Sequence, residues 1–295
     1  MFELDKNIRI FTYNLGNAVY GEKFCFDGKR TDINYRNLFP SNRKEVLTNI
    51  DGQIEIIDNT DPDIILFQEI SKLSFINYFS NPYRNCKQRL SDYSSSYLSN
   101  YNFLGILNHG KSIFVKENFD YEFLKAPYKI EGVLKNYFGS NKHYILSRIK
   151  INDSDKELIV INVHFTAFRK NYEIRIKQIN YILDIAFKEY EKGNYVIVGG
   201  DFNMNLVTNT KVHKKSNLPK EILNKLSSNW NINCDGKTVR DLSVRLEENN
   251  DERVYDGFIC SDNIEVIKIN SLENFRYSDH SPVIMEFKLK KDKNM

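Results

Sequence analysis

Short apolar runs recur along the chain, separated by polar and turn-forming stretches. Strand-like runs occupy residues 8–13, 63–68, 112–116, 144–149, 158–163, 195–198, 255–260 and 283–289. Several are continuously apolar, the pattern of strands covered on both faces. Helical periodicity is clearest between residues 172 and 190. There Ile179, Ile182, Leu183, Ala186 and Tyr190 follow the i, i+3, i+4, i+7 rule, and Gly193 offers a C-terminal stop. A second helix is predicted over residues 43–58 through Val46, Leu47, Ile50, Ile54 and Ile57, and Asp61-Pro62 breaks it before the next strand. Residues 208–250 are the least regular. They hold Lys211, Lys214, Lys215, Lys220 and Lys225 and one short predicted helix near 220–226. They read as a solvated insertion, or else as a substrate-facing loop adding positive charge. Residues 288–293 read as a frayed, charged tail. No repeat period and no Pro/Gly/Ser linker divides the chain.

Hydrophilic side chains interrupt these runs in a particular way. Apolar runs end in Tyr13-Asn14, in Gln68-Glu69, in Asn162-Val163-His164 and in Gly199-Gly200-Asp201-Phe202-Asn203. A fifth run, Val254-Tyr255-Asp256-Gly257-Phe258, has its acid embedded, and Tyr277-Ser278-Asp279-His280-Ser281-Pro282 precedes the last strand. Singly, each reads as well as a turn, a strand end or a core histidine. Together they offer Asn, Glu, two His and several Asp at strand ends, where layered α/β structures gather their ligands. Because the set runs from Asn14 to His280, one shared core is expected, and hence a single domain over residues 1–295.

Composition narrows the class. With 295 residues, 41% hydrophobic and 27% charged, the chain has material for a core and is not disordered in character. A net charge of +3 neither announces nor excludes nucleic acid. The sequence has 36 Asn and four Ala, a bias that AT-rich codons explain, so its lysine clusters carry reduced weight. Cys25, Cys86, Cys234 and Cys260 are widely spaced, supporting neither a disulfide framework nor a zinc site, and Cys260 reads as a small core residue. The N-terminus lacks the pattern of a secretory signal and no run reaches membrane-spanning length, so a cytoplasmic protein is the default expectation.

The hard oxygen donors, without cysteine, favour Mg²⁺ or Mn²⁺. Glu69 is the best direct ligand, with Asn14 and Asp279 beside it. The histidines suit proton transfer near neutral pH, and Asp256 is the natural partner to orient His280. Asp201 is placed to position or deprotonate an attacking water, with Asn203 and His164 donating to phosphoryl oxygens. No Ser, Cys or Thr nucleophile stands out.

The set Tyr13-Asn14, Gln68-Glu69, Asn162-Val163-His164, Gly200-Asp201-Phe202-Asn203, Asp256 and Ser278-Asp279-His280 resembles the endonuclease/exonuclease/phosphatase superfamily, in order and over nearly the whole chain. The resemblance implies an α/β fold of the deoxyribonuclease I type, a four-layered sandwich of two packed mixed β-sheets flanked by helices. It implies Glu69 and Asn14 at Mg²⁺ and phosphate, His164 near the scissile phosphate, Asp201 and Asn203 positioning water, and Asp256 paired with His280. Thr238-Val239-Arg240-Asp241 is similar to an element of a bacterial branch, and Arg240 there would bind a substrate phosphate.

The expected activity is a Mg²⁺-dependent phosphoesterase acting by direct water attack, in the first instance a nuclease. Tyr93, Tyr97 and Tyr101 would stack on bases. The only Trp, Trp230, is not where abasic-site nucleases carry one. The alternatives are a phospholipid or small phosphoester hydrolase, as His164-Phe165-Thr166-Ala167 resembles neutral sphingomyelinases, and an inactive scaffold. Against a lipid substrate, no amphipathic helix or large aromatic hairpin is visible, the aromatic stretch over residues 121–138 being short and mixed with charges.

Overall fold

The computed structural model describes residues 1–22, 40, 42–125, 143–207, 217–226, 229–243, 246 and 253–291. Among these residues, twelve strands form two six-stranded sheets. The first contains β1 (Ile8–Asn14), β2 (Ile64–Ser74), β3 (Ser94–Phe103), β4 (Leu107–Val115), β11 (Ile264–Ser271) and β12 (Val283–Leu289). Its order is β11-β12-β1-β2-β4-β3. The second contains β5 (Asp120–Lys125), β6 (His143–Lys150), β7 (Glu157–His164), β8 (Tyr195–Asp201), β9 (Trp230–Asn233) and β10 (Asp256–Ser261), in the order β5-β6-β7-β8-β10-β9. Each sheet has one parallel pair, β1 with β2 and β7 with β8, among antiparallel neighbours. Helices α1 (Arg43–Thr60) and α2 (Pro82–Arg89) belong to the first half of the chain, and α3 (Tyr172–Glu191) and α4 (Lys220–Leu226) to the second.

The layers follow from a period of two. Along β1, Ile8 and Ile10 join a central apolar cluster, while Phe11 and Tyr13 pack with Val46, Ile50 and Ile57 of α1. Along β7, Leu158 and Val160 face the centre, while Ile159, Ile161 and Val163 pack with Ile179, Ile182 and Leu183 of α3. Three apolar clusters therefore separate four layers: helices, sheet, sheet, helices. This is the expected four-layered sandwich. No helix among the described residues is long and apolar enough to cross a membrane.

The inward stripe changes chemistry as it nears one end of the molecule. After Ile64 and Leu66 comes Gln68, and after Leu158 and Val160 comes Asn162. Gln68 Nε2 donates to Asn162 Oδ1 (2.8 Å) and to Thr12 Oγ1 (3.1 Å), and Asn162 Nδ2 donates to the carbonyls of Phe67 (3.0 Å) and Ser112 (2.9 Å). All are fully buried. A hydrogen-bonded amide layer thus joins the two sheets, and the next inward positions are Asn14, His164, Asp201 and Asp256.

The structure corrects the expected element list at its margins. β3, β5, β9 and β11 are absent from the sequence reading, and they are the four edge strands of the two sheets. Helix α2 was also not anticipated. Residues 208–250, expected as an irregular insertion with one short helix near 220–226, hold that helix as α4 and add the unexpected strand β9 among their described residues, and Val239 bridges to His280. Lys211, Lys214 and Lys215 lie outside the described residues, as do residues 126–138 of the aromatic stretch.

Candidate active site

Asn14, His164, Asp201 and Asp256 meet because their strands are in register. Asp256 pairs with Asp201 across β10 and β8, and His164 pairs with Asp201 across β7 and β8. Such close stacking of strand ends needs small backbone at one point. Gly200 has φ +138, and a Cβ there would lie 2.0 Å from the carbonyl oxygen of Val163.

Glu69 arrives by a different device. Strict alternation after Phe67 would send it to the helix-facing side, where Phe67 and Ile70 both pack. A bulge between Phe67 and Ile70 opposite β4, with Glu69 at φ +47, re-aims the carboxylate. Its Oε1 stands 3.7 Å from His164 Nε2, and its Oε2 accepts from Asn17 Nδ2 at 3.2 Å.

Asp201 is the hub. Its Oδ2 accepts from Asn14 Nδ2 (3.0 Å) and Asn203 Nδ2 (3.1 Å), with His164 Nε2 at 3.5 Å and His280 Nε2 at 3.8 Å. Its Oδ1 accepts the backbone N–H of Asn203 at 2.7 Å. Asn203 also donates to the Phe165 carbonyl (3.0 Å), so its amide fixes Asp201 and the chain leaving β7 together.

His280 turns Nδ1 to Asp256 Oδ2 at 2.8 Å and so presents Nε2 to the site. Burial alone would depress the imidazole pKa, but the carboxylates of Asp256, Asp201 and Asp279 outweigh it and hold the pKa well above the ordinary histidine value. Burial pushes the Asp256 carboxyl upward, and the charge of His280 draws it back.

The loops carrying Asn14 and His280 are held from behind. Gln53, a buried polar residue on α1, donates to the carbonyls of Leu15 (3.0 Å) and Tyr277 (2.8 Å). The Ser278 hydroxyl donates to the Asn14 carbonyl at 2.7 Å. Gly16, at φ +52, leaves no room for a side chain, since its Cβ would lie 2.9 Å from Asp279 Oδ1. Thr238 Oγ1 accepts the N–H groups of Tyr255 (2.8 Å) and Asp256 (3.1 Å), fixing the start of β10.

The structure therefore brings Asn14, Glu69, His164, Asp201, Asn203, Asp256 and His280 together, with half-buried Asp279 at the margin. Arg240, expected at a substrate phosphate, lies behind the Asp279 segment. It is 1% exposed, and its guanidinium donates to the carbonyls of Gly21 (2.7 Å) and Tyr20 (3.3 Å) while its N–H donates to that of Asp279 (2.9 Å). It clamps the chain after β1 to the Asp279 segment. Tyr93 is likewise buried, its hydroxyl on the Pro62 carbonyl, and so offers no stacking face.

Asn17 and Gln53 escaped the sequence reading, and Asn162 and Thr238 entered it only inside motifs, with no role of their own. Buried amides and hydroxyls in an Asn-rich chain give no signal by type. Position offered one for Asn162, two residues before His164 on the same inward stripe.

Two groups of residues have the chemistry to hold a metal ion. Asp201, Asp256 and His280 present ligand atoms within 4.8 Å of one another. Asp256 Oδ2 is engaged with His280 and Asp201 with the amides of Asn14 and Asn203, while Asp256 Oδ1 is a buried oxygen with no hydrogen-bond partner. Glu69 fits better. It is the less buried carboxylate, and beside it the Oδ1 of Asn17 is a buried oxygen with no hydrogen-bond partner. An all-oxygen set of this kind suits a hard cation.

The profile of Endonuclease/Exonuclease/phosphatase family 2 matches residues 12–252. A comparison with curated protein sequences gave no match. Among solved structures, an endonuclease/exonuclease/phosphatase from Beutenbergia cavernae superposes with TM-score 0.66 at 14% identity, covering 97% of this chain and 72% of that one. Caenorhabditis elegans TDP2, truncated, gives TM-score 0.59 at 16% identity, covering 96% and 97%. The human Nocturnin catalytic domain with bound sulfate gives 0.60 at 17%, covering 96% and 95%. These likenesses are of fold, and the profile match spans most of the sequence. The chain belongs to the endonuclease/exonuclease/phosphatase family 2.

Proposed function

We propose that this family member is a Mg²⁺-dependent phosphodiesterase that hydrolyses its substrate by direct attack of water. The observation that carries the proposal is the convergence on Asp201 Oδ2: two amides at 3.0 and 3.1 Å, and two imidazole Nε2 atoms at 3.5 and 3.8 Å. A lone carboxylate oxygen ringed by donors marks a place where a water can be oriented and its proton accepted. His280, oriented by Asp256 and held protonated by its carboxylate surroundings, donates from Nε2 to a phosphoryl oxygen, and His164 does so from the Glu69 side. A Mg²⁺ ion held by Glu69, with Asn14 and Asp279 near it and Mn²⁺ as a substitute, would polarise the phosphoryl oxygen and stabilise charge on the leaving oxygen. Asn14 would contribute through Oδ1, which already accepts Gly16 N–H at 3.0 Å and retains a second lone pair.

Nucleic acid is the first substrate to test, since the site asks only for a phosphodiester. A specific observation supports phospholipid as the second reading: exposed apolar side chains stand on the loops just beyond Glu69. The deciding experiment is Mg²⁺-dependent cleavage of plasmid DNA, beside a phospholipid and the small ester bis(p-nitrophenyl) phosphate. EDTA, Asp201→Ala and His280→Ala serve as controls. Each variant is expected to fold and to lose ~10²–10⁴-fold in turnover. Turnover near wild type in either variant contradicts the roles given, and no hydrolysis of any of the three substrates favours a scaffold.

A further inference from the structure

β2 and β4 do not stop at the site. They continue past Glu69 as a paired ribbon in which Ile70 lies opposite Gly110 and Ser74 opposite Leu107. Phe75 N–H donates to the Ile106 carbonyl (3.0 Å), joining the turn after β2 to the β3–β4 hairpin, and Phe79 N–H closes back on the Ser74 carbonyl (2.7 Å). The resulting lip is tied to the site: Asn77 Nδ2 donates to the Asn17 carbonyl (3.2 Å), and Asn17 holds Glu69.

On this lip Leu73, Phe75, Phe79, Leu104 and Ile106 are all exposed, Leu104 by 82% and Phe79 by 56%. Single exposed apolar residues need no explanation, but a cluster on two adjoining loops does. Their backbone sharpens the point. Tyr78 and Phe79 have φ +55 and Leu104 has φ +47, the left-handed region that suits Gly or Asn. Leu104-Gly105 takes two successive positive φ values, a turn for which Asn-Gly is the usual choice. Large apolar side chains thus occupy strained positions where the isolated protein gains nothing by burying them.

Charge on the same lobe is one-sided. Residues 70–115 hold Lys72, Arg84, Lys87, Arg89 and Lys111 against Asp92 alone, a net +4, whereas the whole chain carries +3. Arg89 pairs with Asp58 and Lys111 is buried. The remaining charge sits on Lys72, whose Nζ lies 5.2 Å from the Tyr83 ring centre and 4.4 Å from that of Tyr97, and on exposed Arg84 and Lys87.

We infer that this lip docks the protein on an anionic phospholipid surface, with the apolar tips entering the boundary between head groups and acyl chains and the cations level with the phosphates. A single-stranded nucleic acid fits the lip less well. Leu73, Leu104 and Ile106 have no ring face to stack on a base, and Lys72 already lies over Tyr83 and Tyr97. The docking does not rest on the catalytic proposal, although a bilayer would bring phosphodiester head groups to the Glu69 side of the site.

The test is cosedimentation of the full chain with phosphatidylcholine vesicles and with vesicles also containing phosphatidylserine. The wild type and Phe79→Asn/Leu104→Asn are compared. Asn suits both backbone positions, so the variant's melting temperature should be unchanged or higher, and its hydrolysis of bis(p-nitrophenyl) phosphate should equal the wild type's. Its partition into phosphatidylserine vesicles should fall at least about tenfold, and wild-type binding should weaken with salt. The inference is overturned if the wild type stays in the supernatant or the variant partitions equally. It is also overturned if the two residues instead mediate oligonucleotide binding or self-association. Failure of the phosphodiesterase reading would show separately, as absent hydrolysis with docking intact.

Discussion

Asn17 shows how one side chain can serve a site without reacting. Its amide holds Glu69 Oε2, its carbonyl takes the Asn77 amide, and its own Oδ1 is buried beside the carboxylate that best fits a metal ion. At φ +54 it occupies backbone that glycine tolerates freely, so Asn17→Gly removes the amide without adding strain. We expect the variant to fold and to bind Mg²⁺ ~10–100-fold more weakly by calorimetry, the usual loss when a ligand's outer partner is removed. Unchanged affinity would show that Glu69 needs no such support, or that the ion binds elsewhere. Among the candidate residues, those that sequence singled out stand at the ends of apolar strands, where a polar side chain breaks a pattern. Asn17 breaks none. It lies in a turn, in a chain with 36 Asn, and only the position of Glu69 gives it meaning.

Elements were legible in proportion to how many faces they bury. The central strands β1, β2, β7, β8, β10 and β12 stand out as apolar runs, whereas β3, β5, β9 and β11 lie at sheet edges. Ser94–Phe103 carries no continuous apolar run because an edge strand has one neighbour and little to cover its outer side. Helix α3 was read nearly to its last residue, yet its fastening was not. Glu189, on the last turn, accepts from Arg148 Nη1 (2.9 Å) and Nη2 (2.8 Å) on β6, and from Asn194 Nδ2 (2.9 Å) and Lys192 Nζ (2.7 Å). Those contacts, chiefly with Arg148, lower its carboxyl pKa to about 2. A carboxyl with a folded pKa below its unfolded value binds fewer protons when folded, so acid favours unfolding. Its contribution is present above the unfolded value of ~4.3 and disappears as pH falls through about 2. Glu189→Gln should therefore cost about 2 kcal/mol near neutrality, and the melting-temperature gap from wild type should close on acidification. A gap that persists at the acid end would show that packing, not the ion pair, is lost.

At the scale of the whole molecule, the candidate site belongs to neither sheet. Asn14 and Glu69 come from the first, with His280 just before its β12, and His164, Asp201 and Asp256 come from the second. The amide layer of Gln68 and Asn162 holds the two sheets at fixed spacing directly beneath. A ligand that binds only this assembled arrangement must stabilise the fold as a whole, by about 2.7 kcal/mol at a concentration 100 times its dissociation constant. Mg²⁺ should therefore raise the melting temperature of the wild type by several degrees. Glu69 is partly exposed, and Glu69→Ala should leave the metal-free melting temperature nearly unchanged because little packing is removed. The same variant should abolish the rise with Mg²⁺. A rise that survives in Glu69→Ala but is lost in Asp201→Ala would move the ion to the cluster of Asp201, Asp256 and His280. That outcome would also reverse the chemistry, since the carboxylate read as orienting water would then be occupied by the cation. The two variants thus separate a metal at Glu69 from a metal on Asp201, before any substrate is known.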